Sequence, residues 1–474
     1  MRTLIMLGSS HQFQPSILRE YDIRGIVGET LFSADANALG QTFGMRVLSE
    51  GGGTVCVGWD GRDSSPALRD ALVAGLTNVG MTVRKIGLGP TPMLNFALHH
   101  TKADAGIMVT GSHNPGTHNG FKMSFGPNCG GGRPVFGTEI QDIGRMAAAG
   151  IPVMSTPGSV EDIEVANAYI RRLIDELDGI DLQNMTIVWD CGNGASGDVV
   201  GQLVSRLSGT QYVLFAEIDG RFPNHHPDPT VATNLSDLQA EVTARSADLG
   251  IAFDGDGDRI GVVDDSGAIL WADQLMIYYA RDLLTEQPEA PLIADVKASQ
   301  IFFEEVARLG GVPEMYRTGH SLIKNRMKEI GAPMAGEMSG HLFFNDRYYG
   351  FDDALYAAMR LLRIKAADPE PLSAFRRGLP VVFNTPEMRI DVDDERKFPV
   401  VDAIKATVVR SGADVNTIDG VRVRTDDGWW LLRASNTQAA LVARCEALTE
   451  SALAKQVEDL RAILANQGVA LPTV

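Results

Sequence analysis

Two stretches of the chain share a pattern that constrains the fold: an apolar run that ends in a short polar loop containing glycine. Residues 105–109 (AGIMV) lead into TGS at residues 110–112, and residues 249–253 (LGIAF) lead into DGD at residues 254–256. Short apolar runs bounded by turn residues are typical of buried strands. Because the two stretches match position by position, we interpret them as copies of one strand–loop unit.

The flanking segments alternate between strand and helix patterns, which predicts mostly parallel sheets with helices on both faces. Each copy follows another strand–turn unit, at residues 55–60 and 187–190, and a third copy spans residues 291–297 and 334–341. Ligands of such sheets bind beyond the carboxyl ends of the strands. We therefore expect three tandem related α/β domains, with mixed or parallel sheets, that present equivalent loops to one central cleft.

The segment after Pro380 reads as a smaller C-terminal α+β domain, with short strands and a closing helix. A chain of 474 residues is too long for a single ordinary core. The domains are expected at residues 1–160, 161–267, 268–379 and 380–474. Further local expectations are a helix over residues 67–79 capped by Ser65, a helical region over residues 161–177 and a closing helix over residues 447–466.

Composition excludes several classes of protein. The net charge of −18 argues against a nucleic-acid or anionic-membrane partner, because both require a cationic surface. No uninterrupted apolar run of about 18 residues predicts a membrane span, and residues 1–10 make a poor signal peptide. The cysteines have no metal-binding spacing and read as reduced thiols, which predicts a cytoplasmic protein. They are Cys56, Cys129, Cys191 and Cys445.

The turn after the first apolar run presents a hydroxyl group. Gly111 supplies a permissive backbone and Asn114-Pro115 break regular structure, so Ser112 is expected at the mouth of the sheet. Loops at such positions often carry function. A plain surface turn is the alternative, and these residues alone leave both interpretations open.

The loop after the second run indicates a metal site. Asp254, Asp256 and Asp258 alternate with glycines, and three carboxylates so close would repel one another unless a cation lay between them. Oxygen ligands suit a hard ion, most plausibly Mg²⁺. An EF-hand calcium loop fails because Arg259 stands at its required glycine and Asp265 at its closing glutamate. A solvated turn without metal is the remaining alternative.

A glycine motif at residues 192–197 (GNGASG) raises a competing hypothesis. It follows a strand, precedes a helix and lies about twenty residues before Glu217, as in dinucleotide-binding folds. The motif matches easily by chance in a chain with 50 glycines. His225 and His226 resemble metal ligands, but adjacent side chains diverge and no third ligand lies nearby, so we interpret them as structural.

Two further polar clusters follow glycine-rich turns. His320 comes directly after Gly319 and could cap a helix over residues 322–330 or, near a phosphate, transfer a proton. Glu337, Ser339 and His341 are polar groups separated by small residues, which suits recognition of hydroxyl groups. In the last domain Arg433, Ser435, Asn436 and Thr437 could cradle phosphate oxygens or simply begin a capped helix.

The ordered motifs resemble those of the α-D-phosphohexomutases, in the phosphoglucomutase/phosphomannomutase branch. The similar segments are YDIRG at residues 21–25, TGSHNP at 110–115, DGDGDR at 254–259, GEMSGH at 336–341 and RASNT at 433–437. The chain departs from the usual family motifs at Gly111, where alanine is common, and at Gln438 and Ala439, where glutamate and proline are usual. Met338 and Asn436 differ from the residues typical of the glucosamine branch.

The resemblance implies four domains around a cleft and a phosphohexomutase, an isomerase that interconverts hexose 1- and 6-phosphates of glucose, mannose or both. Phosphorylated Ser112 would give its phosphoryl group to the sugar through a hexose 1,6-bisphosphate that turns around in the cleft. The implied cofactors are Mg²⁺ and glucose or mannose 1,6-bisphosphate as activator. The C-terminal domain is expected to hinge near residue 380.

The expected site residues fall into three sets. Catalytic roles are assigned to Ser112, Arg24, His113, Lys122, Arg259 and His320, with Lys122 and His320 as the candidate acid/base pair. Metal ligands are a phosphate oxygen on Ser112 together with Asp254, Asp256 and Asp258. Substrate contacts are assigned to Tyr21, Lys297, Thr318, Gly319, Glu337, Ser339, His341, Arg433, Ser435, Asn436 and Thr437.

The expected partners are small sugar phosphates, with no nucleic acid and no membrane, and the expected assembly is a monomer or homodimer. A phosphoglucosamine mutase is the nearest alternative, disfavoured by Met338 and Asn436. A metal-dependent phosphatase would not need the cluster at Arg433. A non-catalytic sugar-phosphate binding protein would keep Arg433 and Glu337 and could tolerate loss of Ser112.

Overall fold

The computed structural model describes residues 4–7, 10–154, 156–436 and 438–472, so the predicted phosphate ligand Thr437 lies outside the described residues. The first domain contains β1 (Leu4–Leu7), β2 (Ile23–Ile26), α1 (Ser33–Ser49), β3 (Thr54–Trp59), α2 (Ser65–Asn78), β4 (Thr82–Leu88), α3 (Thr91–Thr101), β5 (Ala105–Val109), β6 (His118–Phe125), α4 (Thr138–Ala149), β7 (Pro152–Met154) and β8 (Ser159–Asp162).

Two further α/β regions follow along the chain. The second contains α5 (Ala166–Ile174), β9 (Thr186–Asp190), α6 (Gly197–Val204), β10 (Thr210–Leu214), α7 (Ser236–Arg245), β11 (Leu249–Phe253), β12 (Ile260–Asp264) and β13 (Ile269–Leu270). The third contains α8 (Ala272–Glu286), β14 (Pro291–Asp295), α9 (Gln300–Arg308), β15 (Val312–Tyr316), α10 (His320–Ile330), β16 (Met334–Gly336), β17 (Leu342–Phe344), α11 (Ala354–Ala367) and α12 (Leu372–Gly378).

The C-terminal region is a mainly antiparallel sheet covered by two helices. It contains β18 (Phe383–Asn384), β19 (Met388–Asp391), α13 (Asp394–Arg410), β20 (Asp414–Asn416), β21 (Val421–Thr425), β22 (Gly428–Ala434), β23 (Ala440–Ala447) and α14 (Glu450–Ala465). In the part of the chain that the structure describes, no helix is both long and apolar enough to cross a bilayer.

The three α/β sheets repeat one topology, which confirms the predicted tandem units. Their shared strand orders are β4-β3-β5-β6, β10-β9-β11-β12 and β15-β14-β16-β17. In each set the first three strands are parallel and the fourth is antiparallel. The third and fourth strands are therefore joined by a tight loop at the carboxyl end of the sheet. These loops contain Ser112, Asp254 and Glu337 respectively.

The hydrophobic cores join the α/β domains more closely than they join the last domain. One continuous core runs from α3 of the first domain, through Phe96 and Tyr169, into the second and third domains. The C-terminal domain has its own core, built between α13, α14 and the inner face of its sheet. The cleft is thus bounded by one connected body and one separately packed domain.

Several local predictions need correction. Ser65 is the first helical residue and not a cap, because its hydroxyl donates to the Asp60 carboxylate (2.5 Å). The helix expected from residue 161 begins at Ala166, since residues 159–162 pair in parallel with β4 as strand β8. Likewise the closing helix starts at Glu450, because residues up to Ala447 pair with β22. The apolar strands predicted at residues 105–109 and 249–253 match β5 and β11.

Candidate active site

A cleft of about 910 Å³ lies between the four domains. The lysine and arginine side chains on its wall outnumber the carboxylates eight to four, although the chain as a whole carries a net charge of −18. The cleft therefore gathers the cations that an anionic ligand requires. The predicted residues on its wall are Tyr21, Arg24, Ser112, His113, Lys122, Arg259, Lys297, Thr318, Gly319, His320, Glu337, Ser339, His341, Arg433, Ser435 and Asn436.

Ser112 lies in the tight loop between β5 and β6 and is almost fully buried. Its backbone has a left-handed φ of 52°, which non-glycine residues adopt only when their surroundings hold them there. The amide donates to Thr110 Oγ1 (2.9 Å), and Ser112 Oγ donates to Asp254 Oδ2 (3.2 Å) and lies 3.2 Å from His113 Nδ1. The hydroxyl thus points across a domain boundary toward the acidic loop.

The acidic loop follows β11 and has the same place in the second domain as the Ser112 loop has in the first. A side chain on Gly255 would lie 2.3 Å from the Ser112 carbonyl oxygen, so only glycine permits this close approach of the two backbones. Asp254, Asp256 and Asp258 are all buried, and one carboxylate oxygen from each lies within 4.8 Å of the others. The structure therefore brings together all three predicted metal ligands.

Electrostatics in the acidic loop is strongly perturbed. Burial and the charges of Asp258 and Asp256 raise the pKa of Asp254 well above its usual value. Burial also opposes ionisation of Asp256, but the Lys122 ammonium outweighs burial and lowers its pKa. Two carboxylate oxygens, Asp256 Oδ1 and Asp258 Oδ1, are buried and have no hydrogen-bond partner within the part of the chain that the structure describes. Buried carboxylate oxygens without donors are suited to a hard divalent cation.

Lys122 reaches from β6 of the first domain to the carboxylates of the second. Its Nζ lies 2.7 Å from Asp256 Oδ2 and 2.5 Å from Asp258 Oδ2. Burial favours the neutral amine, but these two carboxylates outweigh burial and raise the pKa of Lys122. The side chain is therefore a protonated donor at the acidic loop.

Two histidines share one buried carboxylate beside this site. His341 Nδ1 lies 3.2 Å and His320 Nδ1 3.5 Å from Asp352 Oδ2. Arg259 Nε donates to His341 Nε2 (3.0 Å), so Nδ1 is the ring nitrogen of His341 that carries the proton. Burial, with the charge of Lys324, lowers the pKa of His320 well below its usual value. A neutral imidazole can accept a proton.

Arg24 and His113 complete the wall around Ser112. Arg24 donates to Asn114 Oδ1 (3.1 Å) and forms an ion pair with Asp22, and all three residues lie on the cleft wall. Burial and the charges of Arg259 and Arg24 lower the pKa of His113 well below its usual value.

The third domain contributes neutral and acidic hydrogen-bonding groups. Glu337 and Ser339 are buried, and Glu337 Oε1 and Ser339 Oγ have no hydrogen-bond partner among the described residues. Burial raises the pKa of Glu337. Lys297 Nζ pairs with Glu387 Oε2 (3.1 Å) from the C-terminal domain. These groups can bind sugar hydroxyls because their polar atoms have unused hydrogen-bonding capacity.

The C-terminal domain contacts the first domain through its predicted phosphate cluster. Arg433 lies on the cleft wall, and its Nε donates to Asp419 Oδ2 (2.9 Å). Asn436 Nδ2 donates to the Tyr21 hydroxyl (2.8 Å), which itself donates to the Thr318 carbonyl (2.9 Å). The first, third and fourth domains therefore meet at the Tyr21 ring.

The histidine pair at residues 225–226 and the glycine motif at residues 192–197 both make contacts within the protein. His225 Nε2 lies 2.9 Å from Asp190 Oδ2, and His226 lies on the cleft wall. Among the described residues neither histidine belongs to a group that could hold a metal ion. The glycine turn at residues 192–197 packs on the protein itself: Asn193 Nδ2 donates to the Glu217 carbonyl (2.8 Å) and Ala195 N to the Gly255 carbonyl (2.9 Å). The turn thus supports the acidic loop.

Sequence reasoning missed several residues of the site. Thr91 contacts Asp256 from the first turn of α3, and Asp352, Asp419 and Glu387 each pair with a predicted site residue. None of the four stands in the same sequence motif as its partner, so no local motif marks them. Arg62 is a different case, since its turn at residues 60–63 follows strand β3 at the carboxyl end of the sheet, where functional loops are expected.

Comparison with known proteins identifies the family of all four domains. The chain matches the models of phosphoglucomutase/phosphomannomutase α/β/α domains I, II and III at residues 15–147, 167–267 and 271–382, and the C-terminal domain at residues 387–463. It is 41% identical to the phosphomannomutase/phosphoglucomutase of Pseudomonas aeruginosa, over 95% of both chains. It is 40% identical to a phosphoglucomutase of Neisseria gonorrhoeae, over 94% of this chain and 96% of that protein.

A solved structure supports the same relationship. A phosphoglucomutase/phosphomannomutase family protein from Burkholderia thailandensis superposes with a TM-score of 0.88 at 40% identity, covering 98% of this chain and 100% of the other.

Proposed function

Since the chain belongs to the phosphoglucomutase/phosphomannomutase family and is an enzyme of the isomerase type, we propose that it interconverts hexose 1-phosphate and hexose 6-phosphate, with glucose, mannose or both as the sugar. The proposal includes a phosphoserine at Ser112 and a hexose 1,6-bisphosphate intermediate. The observation that supports it is the 3.2 Å contact between Ser112 Oγ and Asp254 Oδ2. This contact joins the hydroxyl of a residue with a left-handed backbone to a buried acidic cluster.

The reaction balances as two phosphoryl transfers. In the first, the bond between phosphorus and Ser112 Oγ breaks and an acid gives Oγ a proton, while a bond forms from phosphorus to the free hydroxyl oxygen of the sugar phosphate and a base takes the hydroxyl proton. The bisphosphate then turns around in the cleft, and its other phosphate returns to Ser112 Oγ in the reverse step. The cleft of about 910 Å³ has room for this rotation, and the separate core of the C-terminal domain would allow the hinge that we expect near residue 380.

Asp254, Asp256 and Asp258 fit a divalent cation, because they converge within 4.8 Å and two of their buried oxygens find no hydrogen-bond partner among the residues described. We propose that they hold Mg²⁺ together with a phosphate oxygen on Ser112, and that glucose or mannose 1,6-bisphosphate primes the enzyme. When bound, Mg²⁺ would neutralise charge on the transferring group.

The chain's own residues divide the remaining work. Lys122, protonated beside the acidic loop, and His320, held neutral by burial, are proposed as the acid and base. The charges on Arg24 and Arg259, together with His113, would stabilise the transferring phosphoryl group. The substrate contacts are assigned to Tyr21, Lys297, Thr318, Gly319, Glu337, Ser339, His341, Arg433, Ser435, Asn436 and Thr437.

We also retain the four-domain division at residues 1–160, 161–267, 268–379 and 380–474 as a proposal. Its first boundary falls inside β8, whose pairing with β4 places residues up to Asp162 in the first sheet. The C-terminal boundary is supported by the separate core that begins with Met388.

The proposal is tested by Ser112→Ala in a coupled assay with glucose 1-phosphate, mannose 1-phosphate and glucosamine 1-phosphate, each with a bisphosphate activator. We expect the wild type to convert glucose or mannose 1-phosphate and the variant to lose measurable turnover while it still binds substrate. Wild-type turnover by Ser112→Ala would refute the nucleophile, and preference for glucosamine 1-phosphate would refute the substrate class.

A further inference from the structure

A buried arginine that has no part in the proposed chemistry lies directly beneath the Ser112 loop. Arg62 follows β3 in the turn Asp60-Gly61-Arg62, and only 2% of its surface is exposed. Burying a guanidinium is unfavourable unless its donors are satisfied. What satisfies this one is the loop that carries the nucleophile.

All five N–H donors of Arg62 are used, four of them on backbone carbonyls of one loop. Nη1 donates to Pro115 O (2.6 Å) and His118 O (2.9 Å), while Nη2 donates to Ser112 O (2.7 Å) and Asn114 O (2.6 Å). Nε donates to Asp60 Oδ2 (3.0 Å). The guanidinium therefore ties the loop together from inside and takes its counter-charge from Asp60.

The loop is built around this guanidinium. A side chain on Gly111 would lie 2.4 Å from Arg62 Cζ and 2.6 Å from Nε, so residue 111 must lack a Cβ atom while Arg62 stays in place. The Gly111 amide also donates to Asp60 Oδ2 (3.1 Å). Glycine in place of the alanine common in related motifs thus has a local cause.

The second domain closes the site from the other side. Gly220 N donates to Gly61 O (3.2 Å), and the Phe222 ring centre lies 5.3 Å from the Arg62 guanidinium. Because water is excluded there, the hydrogen bonds to the carbonyls do not compete with solvent.

We propose that Arg62 is a positioning residue that holds Ser112 in its left-handed conformation, with Oγ toward Asp254. The inference rests on the proposed function, since positioning matters only if Ser112 reacts. A planar fork of five donors can bridge four carbonyls and a carboxylate, whereas a lysine ammonium has three donors at one point. Arg62→Lys therefore keeps the charge and loses the fork. An ordinary structural role is the alternative, in which Arg62 would affect stability alone.

The first test compares Arg62→Lys with Arg360→Lys, a matched change of an equally buried, ion-paired arginine remote from the cleft. We expect Arg62→Lys to lower kcat about 10- to 100-fold with KM within about threefold, because small displacements of a reacting group are costly. Hydrogen exchange of the amides at residues 111–119 should accelerate in this variant alone. Arg360→Lys should lower Tm and leave both kcat and loop exchange unchanged.

Gly111→Ala provides a second variant, which decides the matter if Arg62→Lys does not fold. Its methyl group should displace the guanidinium, accelerate exchange of the same amides and lower kcat to a similar degree. Combined with Arg62→Lys it should add little, because both changes break the same contacts. Wild-type kcat and loop exchange in either folded variant, or losses that multiply in the double variant, would overturn the inference.

Mass spectrometry separates this inference from the proposed function. Incubation with glucose 1,6-bisphosphate should phosphorylate wild-type Ser112 quickly and the Arg62→Lys enzyme slowly. If wild-type Ser112 never gains phosphate, the proposed function fails. If both enzymes gain it at the same rate, the function stands and the positioning role is wrong.

Discussion

The loops after β5 and β11 have the same place in the fold and opposite chemistry. Each follows the third strand of its repeat and turns into an antiparallel fourth strand. The first offers the Ser112 hydroxyl with cations around it, whereas the second offers three buried carboxylates. They meet where Gly255 packs against the Ser112 carbonyl. The repeat thus determines where a loop lies, and the residues within the loop determine its chemistry.

The two loops are also held in different ways. Arg62 binds four carbonyls of the first loop directly. In the second repeat, Asp190 ends the corresponding strand and contacts His225, and the Pro227 carbonyl accepts a hydrogen bond from Gly255 (3.2 Å). The first loop is held by a buried guanidinium, whereas the second is held by a backbone hydrogen bond to the segment that also carries His225.

The largest effect is expected from the carboxylates of the second loop, because the proposed function places the cation on that loop and not on the first. Asp256→Asn should lower kcat by about 1,000-fold, since metal stabilisation of the reacting group is worth several kcal/mol. It should also weaken Mn²⁺ binding measured by electron paramagnetic resonance. Asp264→Asn, at the far end of β12 and equally buried, is the control and should retain Mn²⁺ affinity. Unchanged Mn²⁺ affinity in Asp256→Asn would show that the second loop does not bind the cation.

Lys122 tests whether the first repeat supplies the charge that the second repeat needs. Lys122→Met should reduce kcat about 100-fold, as expected for loss of a proton-transfer group. Mn²⁺ affinity should stay equal or rise, because the ammonium no longer competes for Asp256 and Asp258. Lys328→Met serves as the control on the outside of the third domain. Weaker Mn²⁺ binding in Lys122→Met would show that the lysine supports the metal instead.

Arg433 extends the comparison to the C-terminal domain, which lies outside the repeat. Arg433→Gln should raise KM about 10-fold and change kcat less than about threefold, because it removes binding common to substrate and transition state. Arg424→Gln, on the exposed side of the same sheet, should change neither constant. A large fall in kcat at constant KM would place Arg433 among the reacting groups.

The smallest expected effect concerns the pH dependence of the contact between His225 and Asp190 in the second repeat. Burial lowers the pKa of His225, but the hydrogen bond and charge of Asp190 outweigh it and the net pKa is raised from 6.5. A raised folded pKa means that the pair's stabilisation is complete below pH 6.5 and is lost as pH rises through the higher folded value.

His225→Gln should therefore lower the free energy of unfolding by about 1–2 kcal/mol at pH 6 and by less at pH 9, measured by denaturant titration. His226→Gln, beside it, should show the opposite trend, because burial lowers the pKa of His226 and the cost of burying it is greatest at low pH. An equal loss at both pH values would indicate that the charge on His225 contributes nothing.

Much of the fold could be predicted from local patterns. The strands at residues 105–109 and 249–253 were evident because apolar runs end there in turn residues. The error at residues 161–162 arose because pairing with β4 overrides local helix preference. In the same way, the start of the last helix depended on the partner strand of residues 440–447.

The candidate site divides in the same manner. Ser112, Asp254 and Arg433 stand in motifs that local sequence reveals. Arg62 and Asp352 act through contacts with residues of other loops in their own domains, and such contacts depend on how those loops pack. Hydrophobic periodicity predicts the helix or strand to which a residue belongs, but it does not predict which backbone groups the side chain will contact.

The central claim is that Ser112 carries the phosphoryl group, and the direct measurement is a single-turnover experiment. Enzyme phosphorylated by glucose 1,6-bisphosphate and freed of excess reagent is mixed with glucose 1-phosphate, and peptide mapping follows phosphate on residues 110–115. The account predicts that phosphate leaves Ser112 as glucose 1,6-bisphosphate forms in equal amount. The claim would be contradicted if the phosphate that enters the bisphosphate starts on another residue, or if enzyme that carries no phosphate forms bisphosphate from glucose 1-phosphate.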